Sequence, residues 1–170
     1  MGWYNQLKLS RYFNIDVEND MGEFENQTNV DPEVANEQAY SVFQNTQINT
    51  RKPIKEVVMP DDEDRVVGAL SEDWEKVDGE ADKPIYEYSF DLSVIKDFQK
   101  KGIGRQLINN AIKRYEAEKS SYEDMGCYTR IKVWAVNPKI AEMLENEYGF
   151  DCEPVAYDKG EPVQWFCYKY

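Results

Sequence analysis

Leu92-Ser93-Val94-Ile95-Lys96-Asp97-Phe98-Gln99-Lys100-Lys101-Gly102-Ile103-Gly104-Arg105 is the stretch on which the fold turns. Upstream of it, Tyr86, Tyr88, Phe90, Leu92 and Val94 alternate with more polar residues at period two, which predicts a strand over 85–94. Downstream, Ile103, Leu107, Ile108, Ala111, Ile112 and Tyr115 recur at helical spacing. The quoted segment is therefore a strand-to-helix turn with two glycines and the cations Lys100, Lys101 and Arg105 beside it. Glycine lets a backbone come close to a ligand and aim its amides outward, and a helix start favours negative charge, so the combination predicts an anion cradle. It is neither a Walker loop nor a Rossmann fingerprint, because the glycine spacings and the Lys-Ser/Thr pair of those motifs are missing.

Working outward, Glu56 to Met59 and Arg65 to Leu70 predict a hairpin around the acidic turn 61–64. Asp78-Gly79 predicts a second turn, leading into the long strand. Asp31-Pro32-Glu33 predicts a helix start, with Val34, Gln38, Val42 and Phe43 continuing it. After the central helix come a strand over 130–136, a short helix opened by Asn137-Pro138 and stopped near Gly149, and a hairpin of 150–157 with 163–170. Residues 1–30 read as an arm of Trp3, Tyr4, Leu7, Leu9, Tyr12 and Phe13 followed by a polar linker, and residues 31–170 as one domain. The order hairpin, strand, helix, strand, helix, hairpin predicts an α/β (α+β) fold, a mixed central sheet flanked by helices.

Composition narrows the function. With 20 basic against 33 acidic residues, the net charge of −13 repels nucleic-acid phosphates and suits a cationic partner. The chain has no histidine, which excludes histidine-based triads and histidine-ligated metals, and no metal site is expected. Cys127, Cys152 and Cys167 lack metal-type spacing and read as free thiols in a reducing compartment. No run of 18 apolar residues and no secretory leader is visible, and Gln6 stands where a myristoylation signal wants Ser or Thr; the expectation is a cytoplasmic protein with no membrane partner.

Leu92-x-Val94, then Gln99-x-x-Gly102-x-Gly104 opening an amphipathic helix, resembles the acetyl-CoA motif of the GNAT superfamily of N-acetyltransferases. Val133-x-Ala135-Val136-Asn137, the short helix, Gly149-Phe150 and the terminal hairpin are similar to the same family, so the likeness covers residues from about 53 to 170. The resemblance implies that the backbone of Leu92, Ser93 and Val94 bonds the pantetheine arm of acetyl-CoA. It implies that Gln99, Lys100, Lys101, Gly102, Ile103, Gly104 and Arg105 hold the pyrophosphate, and that Asn137 lies beside the pantetheine.

The implied activity is acetyl transfer from the cosubstrate acetyl-CoA to a primary amine, by direct attack in a ternary complex. The acceptor would be a cationic small molecule or a protein lysine. An alkylammonium with a pKa of about 10.4 must first lose its proton. Glu87 and Asp91, on one face of the long strand, are the candidate bases, with Glu72 and Asp73 nearby in sequence. Tyr88 stands where histone-type relatives keep a glutamate base. The tyrosine that many relatives use to protonate the departing thiolate is missing: Leu144 or Glu145 occupies its place, depending on the end from which one counts. Tyr148 is either a substitute acid or a core residue. An alternative function is a GNAT-fold binding or assembly protein without turnover, its arm serving a homodimer or a docked partner.

Overall fold

The computed structural model describes residues 12–77 and 82–170, so Trp3, Tyr4, Leu7 and Leu9 of the expected arm, Gln6, and the Asp78-Gly79 turn lie outside the described residues. Among the described residues there are seven strands in one mixed sheet, in the order β1-β2-β3-β4-β5-β7-β6, and four α-helices. The chain forms two compact units: one reaches to Ser71 and includes Leu92–Asn110, and the other is Glu72–Asp91 with Ala111–Tyr170.

In the first unit, β1 (Tyr12–Asp16) pairs antiparallel with β2 (Ile54–Pro60), from Tyr12 opposite Pro60 to Asp16 opposite Glu56. β2 in turn pairs antiparallel with the start of β3 (Gly68–Val77). Helix α1 (Met21–Gln27) buries only Phe24. The Asp16 carboxylate accepts hydrogen bonds from the Glu18 and Asn19 amides, each at 3.0 Å, and so turns the chain from β1 toward α1.

Helix α2 (Pro32–Asn45) starts as expected, with Asp31 accepting from the Glu33 amide at 2.8 Å. Its buried face is Ala35, Ala39, Val42 and Phe43, whereas Val34 is 44% exposed, so the expected face is shifted by one residue at its start. These side chains join Ile15, Phe24, Ile54, Val57 and Met59 in one core. Lys55 is buried against Asp16 at 3.2 Å and Glu18 at 3.0 Å. Burial pushes the Asp16 carboxyl up, but bonds from the Asn19 amide and Lys55 outweigh it and hold it below the usual carboxylate range. Burial likewise lowers Lys55, but the bonds to Glu18 and Asp16 win and leave it above the ordinary lysine value.

In the second unit, the part of β4 (Ile85–Val94) up to Asp91 runs parallel to β5 (Tyr128–Ala135), from Ile85 opposite Tyr128 to Ser89 opposite Lys132. β5 continues antiparallel with β7 (Glu161–Lys169), and β7 with β6 (Asp151–Asp158). The tip of that hairpin carries positive φ at Lys159 and Gly160, the twist-matched geometry of a two-residue hairpin loop. Helix α3 (Ile103–Asp124) belongs to this unit from Ala111 onward. Here Tyr115 and Tyr122 of α3 close on Trp74, with ring centroids 5.6 and 4.4 Å away, and the Trp74 indole N–H donates to Glu118 at 2.6 Å. Burial raises the Tyr115 hydroxyl above its ordinary value. Helix α4 (Pro138–Tyr148) ends on Gly149, whose φ of 72° is the left-handed stop that glycine tolerates.

The hairpin overturns one cysteine expectation. Cys152 and Cys167 are directly opposed in the β6–β7 register and are joined as a disulfide; only Cys127 is a free thiol. Fifteen residues separate the pair in sequence, and it is the register of the hairpin that brings them together.

Candidate active site

The quoted turn lies wholly in the first unit. After β4, a 3₁₀ turn over Lys96–Phe98 carries the chain to Gln99, whose side-chain amide donates back to the Val94 carbonyl at 2.9 Å. Gln99 therefore ties the two ends of the turn together through its side chain. Phe98 is buried beneath the guanidinium of Arg65 and the ammonium of Lys101, which stand 5.1 and 5.0 Å from the ring centroid. Lys100 and Gly102 both take left-handed backbone, with φ of 62° and 85°. The first backbone bond of α3 is Gln106 N–H to Gly102 O at 3.0 Å, so the amides of Ile103 and Gly104 precede the ladder and point out of the helix end. A Cβ built on Gly102 meets nothing within 4 Å, so the loop is open on that side.

Two contacts hold this opening in place. Gly68 of β3 lets the start of α3 come close: a Cβ there would stand 3.0 Å from Ile103 Cγ2. Ser93 is buried, donates to the Val42 carbonyl at 3.2 Å and lies 2.5 Å from the Thr46 hydroxyl, fastening the end of β4 to α2. The sequence reading missed Gly68 as a positioning residue. Its only signal was a glycine at a strand start, which hints at a close backbone approach. Leu92, Ser93 and Val94 lie beyond Ser89 and Lys132, where the β4–β5 register ends. The residues therefore fit a phosphate-bearing ligand: outward amides and open glycine backbone at a helix start, with Lys100, Lys101 and Arg105 around them.

The other predicted residues stand in the second unit. Glu87 is only 4% exposed, and its two oxygens are closed by Arg130 Nε at 2.5 Å and Lys132 Nζ at 2.6 Å. Asp91 shares that face of β4 and is half-buried. Tyr88 is fully buried and donates its hydroxyl to Glu72, which also accepts from Arg114 Nε at 3.3 Å. Asn137 caps α4 by accepting from the Lys139 amide at 2.9 Å. Tyr148 ends α4, its carbonyl accepting from Lys169 Nζ at 2.8 Å, and Leu144 is fully buried.

The family model described as Acetyltransferase (GNAT) family matches residues 23–150. The chain belongs to the GNAT acetyltransferase family. GNAT members take acetyl-CoA as acyl donor, and this protein is an acetyl-CoA-dependent acetyltransferase of that family. No curated protein sequence matches the chain. Among solved structures, a GNAT-family acetyltransferase from Streptococcus pneumoniae is 12% identical, with 94% of this chain and 98% of that chain covered at a TM-score of 0.53; it shares the fold. An acetyltransferase from Salmonella typhimurium with its cofactor acetyl-CoA is 19% identical, with 94% and 92% covered and a TM-score of 0.48. The ribosomal-protein-S5-alanine acetyltransferase from Vibrio fischeri is 16% identical, with 95% and 96% covered and a TM-score of 0.48. Among the described residues, no helix is long and apolar enough to cross a membrane and no cluster of acids and cysteines is placed to hold a metal.

Proposed function

We propose that this GNAT protein acetylates a primary amine by direct attack in a ternary complex. The observation that supports it most is the open start of α3, where Lys100 and Gly102 hold left-handed backbone in front of amides that no side chain of Gly102 can cap. In this reading, Lys100, Lys101, Gly102, Ile103, Gly104 and Arg105 bind the pyrophosphate, while Gln99 shapes the turn. The backbone of Leu92, Ser93 and Val94 accepts the pantetheine as an added strand, and Asn137 lies beside it.

Asp91 is the base of choice, being half-buried on β4 next to Leu92. Glu87, gripped by Arg130 and Lys132, positions those cations. The acceptor ammonium gives a proton to Asp91, and its nitrogen attacks the thioester carbonyl. The C–N bond forms and the C–S bond breaks; the nitrogen, cationic after the attack, releases its second proton to solvent, while Tyr148 protonates the leaving thiolate and is itself reprotonated from solvent. The net charge of −13 favours a cationic acceptor, a small amine or a protein lysine.

The test is release of the coenzyme A thiol across a panel of amines, paired with calorimetric titration of acetyl-CoA. Asp91→Asn is expected to lower kcat by about 100-fold or more with little change in the KM for acetyl-CoA. An Asp91→Asn enzyme with full kcat would remove Asp91 from the mechanism. Tight acetyl-CoA binding with no turnover of any amine would favour the binding or assembly role, a reading to which the buried Leu144 at the usual tyrosine place lends support.

A further inference from the structure

One face of the second unit carries an aromatic row between two rows of opposite charge. On β7, Phe166 and Tyr168 stack with ring centroids 5.3 Å apart; Trp134 of β5 meets Phe166 at 4.8 Å, and Tyr170 meets Tyr168 at 6.1 Å. Trp134 is 46% exposed and Tyr170 76%. Four rings in a row, open to this degree, form the kind of contiguous apolar patch that marks an interface.

On the β5 side, Arg130 and Lys132 share the single carboxylate of Glu87. On the β6 side, Asp151 and Glu153 are exposed. The Tyr168 hydroxyl donates to Glu153 at 3.4 Å, which puts that acid on the aromatic face, and the Glu153 charge pushes the tyrosine up from its ordinary value. The register aligns the rows: Tyr168 is opposite Lys132 on β5 and Asp151 on β6, and Phe166 is opposite Trp134 and Glu153. β7 is thus a centre line with a cation and an acid at the same height on its two sides.

Turning a second copy by half a revolution about an axis along β7 lays β5 of one copy over β6 of the other. Lys132 then stands above Asp151, twice, and the aromatic rows meet. We propose that this face is the contact of a two-fold dimer of the chain with itself. A basic peptide would answer the acids of β6 but would set like charges against Arg130 and Lys132; a second copy answers both rows. The inference stands apart from the catalytic reading, and it uses β5, β6 and β7 rather than the N-terminal arm.

Sedimentation equilibrium of the full chain over a range of concentrations tests it, with circular dichroism as the fold check. The wild type is expected to dimerise, and Trp134→Glu and Asp151→Lys to weaken the dimer by about tenfold or more. Lys132→Glu is also expected to be monomeric alone. Mixed with Asp151→Lys it should form a heterodimer, because both cross pairs then become complementary. A monomeric wild type, or a Trp134→Glu protein that dimerises as well as wild type, would overturn the proposal. So would two well-folded single variants that stay monomeric when mixed. If Lys132→Glu fails the fold check, Trp134→Glu and Asp151→Lys decide the matter by themselves. A wild type that stays monomeric yet binds a labelled oligolysine peptide through Trp134 would assign the face to a cationic partner instead.

Discussion

Three helices of this protein begin in two different ways. α2 and α4 close their own starts: Asp31 accepts from the Glu33 amide, Asn137 accepts from the Lys139 amide, and a proline follows each cap. α3 begins on Gly102, which has no side chain to offer, in left-handed backbone with open space where a Cβ would stand. The first two helices each answer an N-terminal amide from within, whereas the third presents its amides outward. A helix start answered from within is structure; one left open at a glycine turn is a place for an anion.

The sharpest way to break this contrast is Gly102→Asp, which puts a carboxylate into the open start. Acetyl-CoA affinity, read by calorimetry, should fall by at least about 100-fold, or about 2.8 kcal/mol. The left-handed φ adds a stability cost of roughly 1–2 kcal/mol, so the variant should still fold. Retained affinity would mean that the turn does not hold the pyrophosphate.

Gly68→Val tests whether the opening depends on close packing behind it. Its side chain would press on Ile103, and urea denaturation should show a loss of about 1–3 kcal/mol together with weaker acetyl-CoA binding. Asn137→Ala should cost about 1 kcal/mol by removing the cap of α4, and Asn137→Ser, which restores a cap oxygen, should recover most of it. If Asn137→Ser is stable but raises the KM for acetyl-CoA, Asn137 touches the cosubstrate as well as its own helix.

The smallest effect belongs to a charge cluster that is already answered from within. Asp16 is depressed in the folded state, so its stabilisation is present above the unfolded value of about 3.9 and is lost as pH falls through the lower folded value. Lys55 is raised, so its contribution is present below the unfolded value of about 10.4 and is lost as pH rises through the higher folded value. Lys55→Met should flatten the melting profile at both ends by about 1 kcal/mol or less and leave acetyl-CoA affinity unchanged.

Legibility in the sequence followed the length of each pattern. The long strand, α3 and the terminal hairpin carry extended periodicity, and all three stand where the residues predicted them. β1 and α1 were hidden in a stretch that reads as arm and linker, because a five-residue strand and a helix burying one phenylalanine leave no period to detect. α2 was legible from its cap but not in its buried face, since alanine at 35 and 39 gives a weaker apolar signal than Val34, which points outward. In the site, the glycine turn was readable from residue type alone. Gln99 folding back on Val94, and Glu87 gripped by Arg130 and Lys132, were not, because those partners depend on how separate segments meet.

Taken by itself, the chain determined its element order from α2 onward and the glycine-rich start of its longest helix. The properties behind those features, side-chain periodicity, capping chemistry and the left-handed freedom of glycine, are local and travel with the residues. Only the tertiary structure decided that Cys152 meets Cys167, that Lys55 is buried with Asp16, and that Trp134, Phe166 and Tyr168 form one row. Those outcomes depend on strand register, and register is set by how two segments pair and not by either segment alone; a shift of one residue would send every side chain to the opposite face.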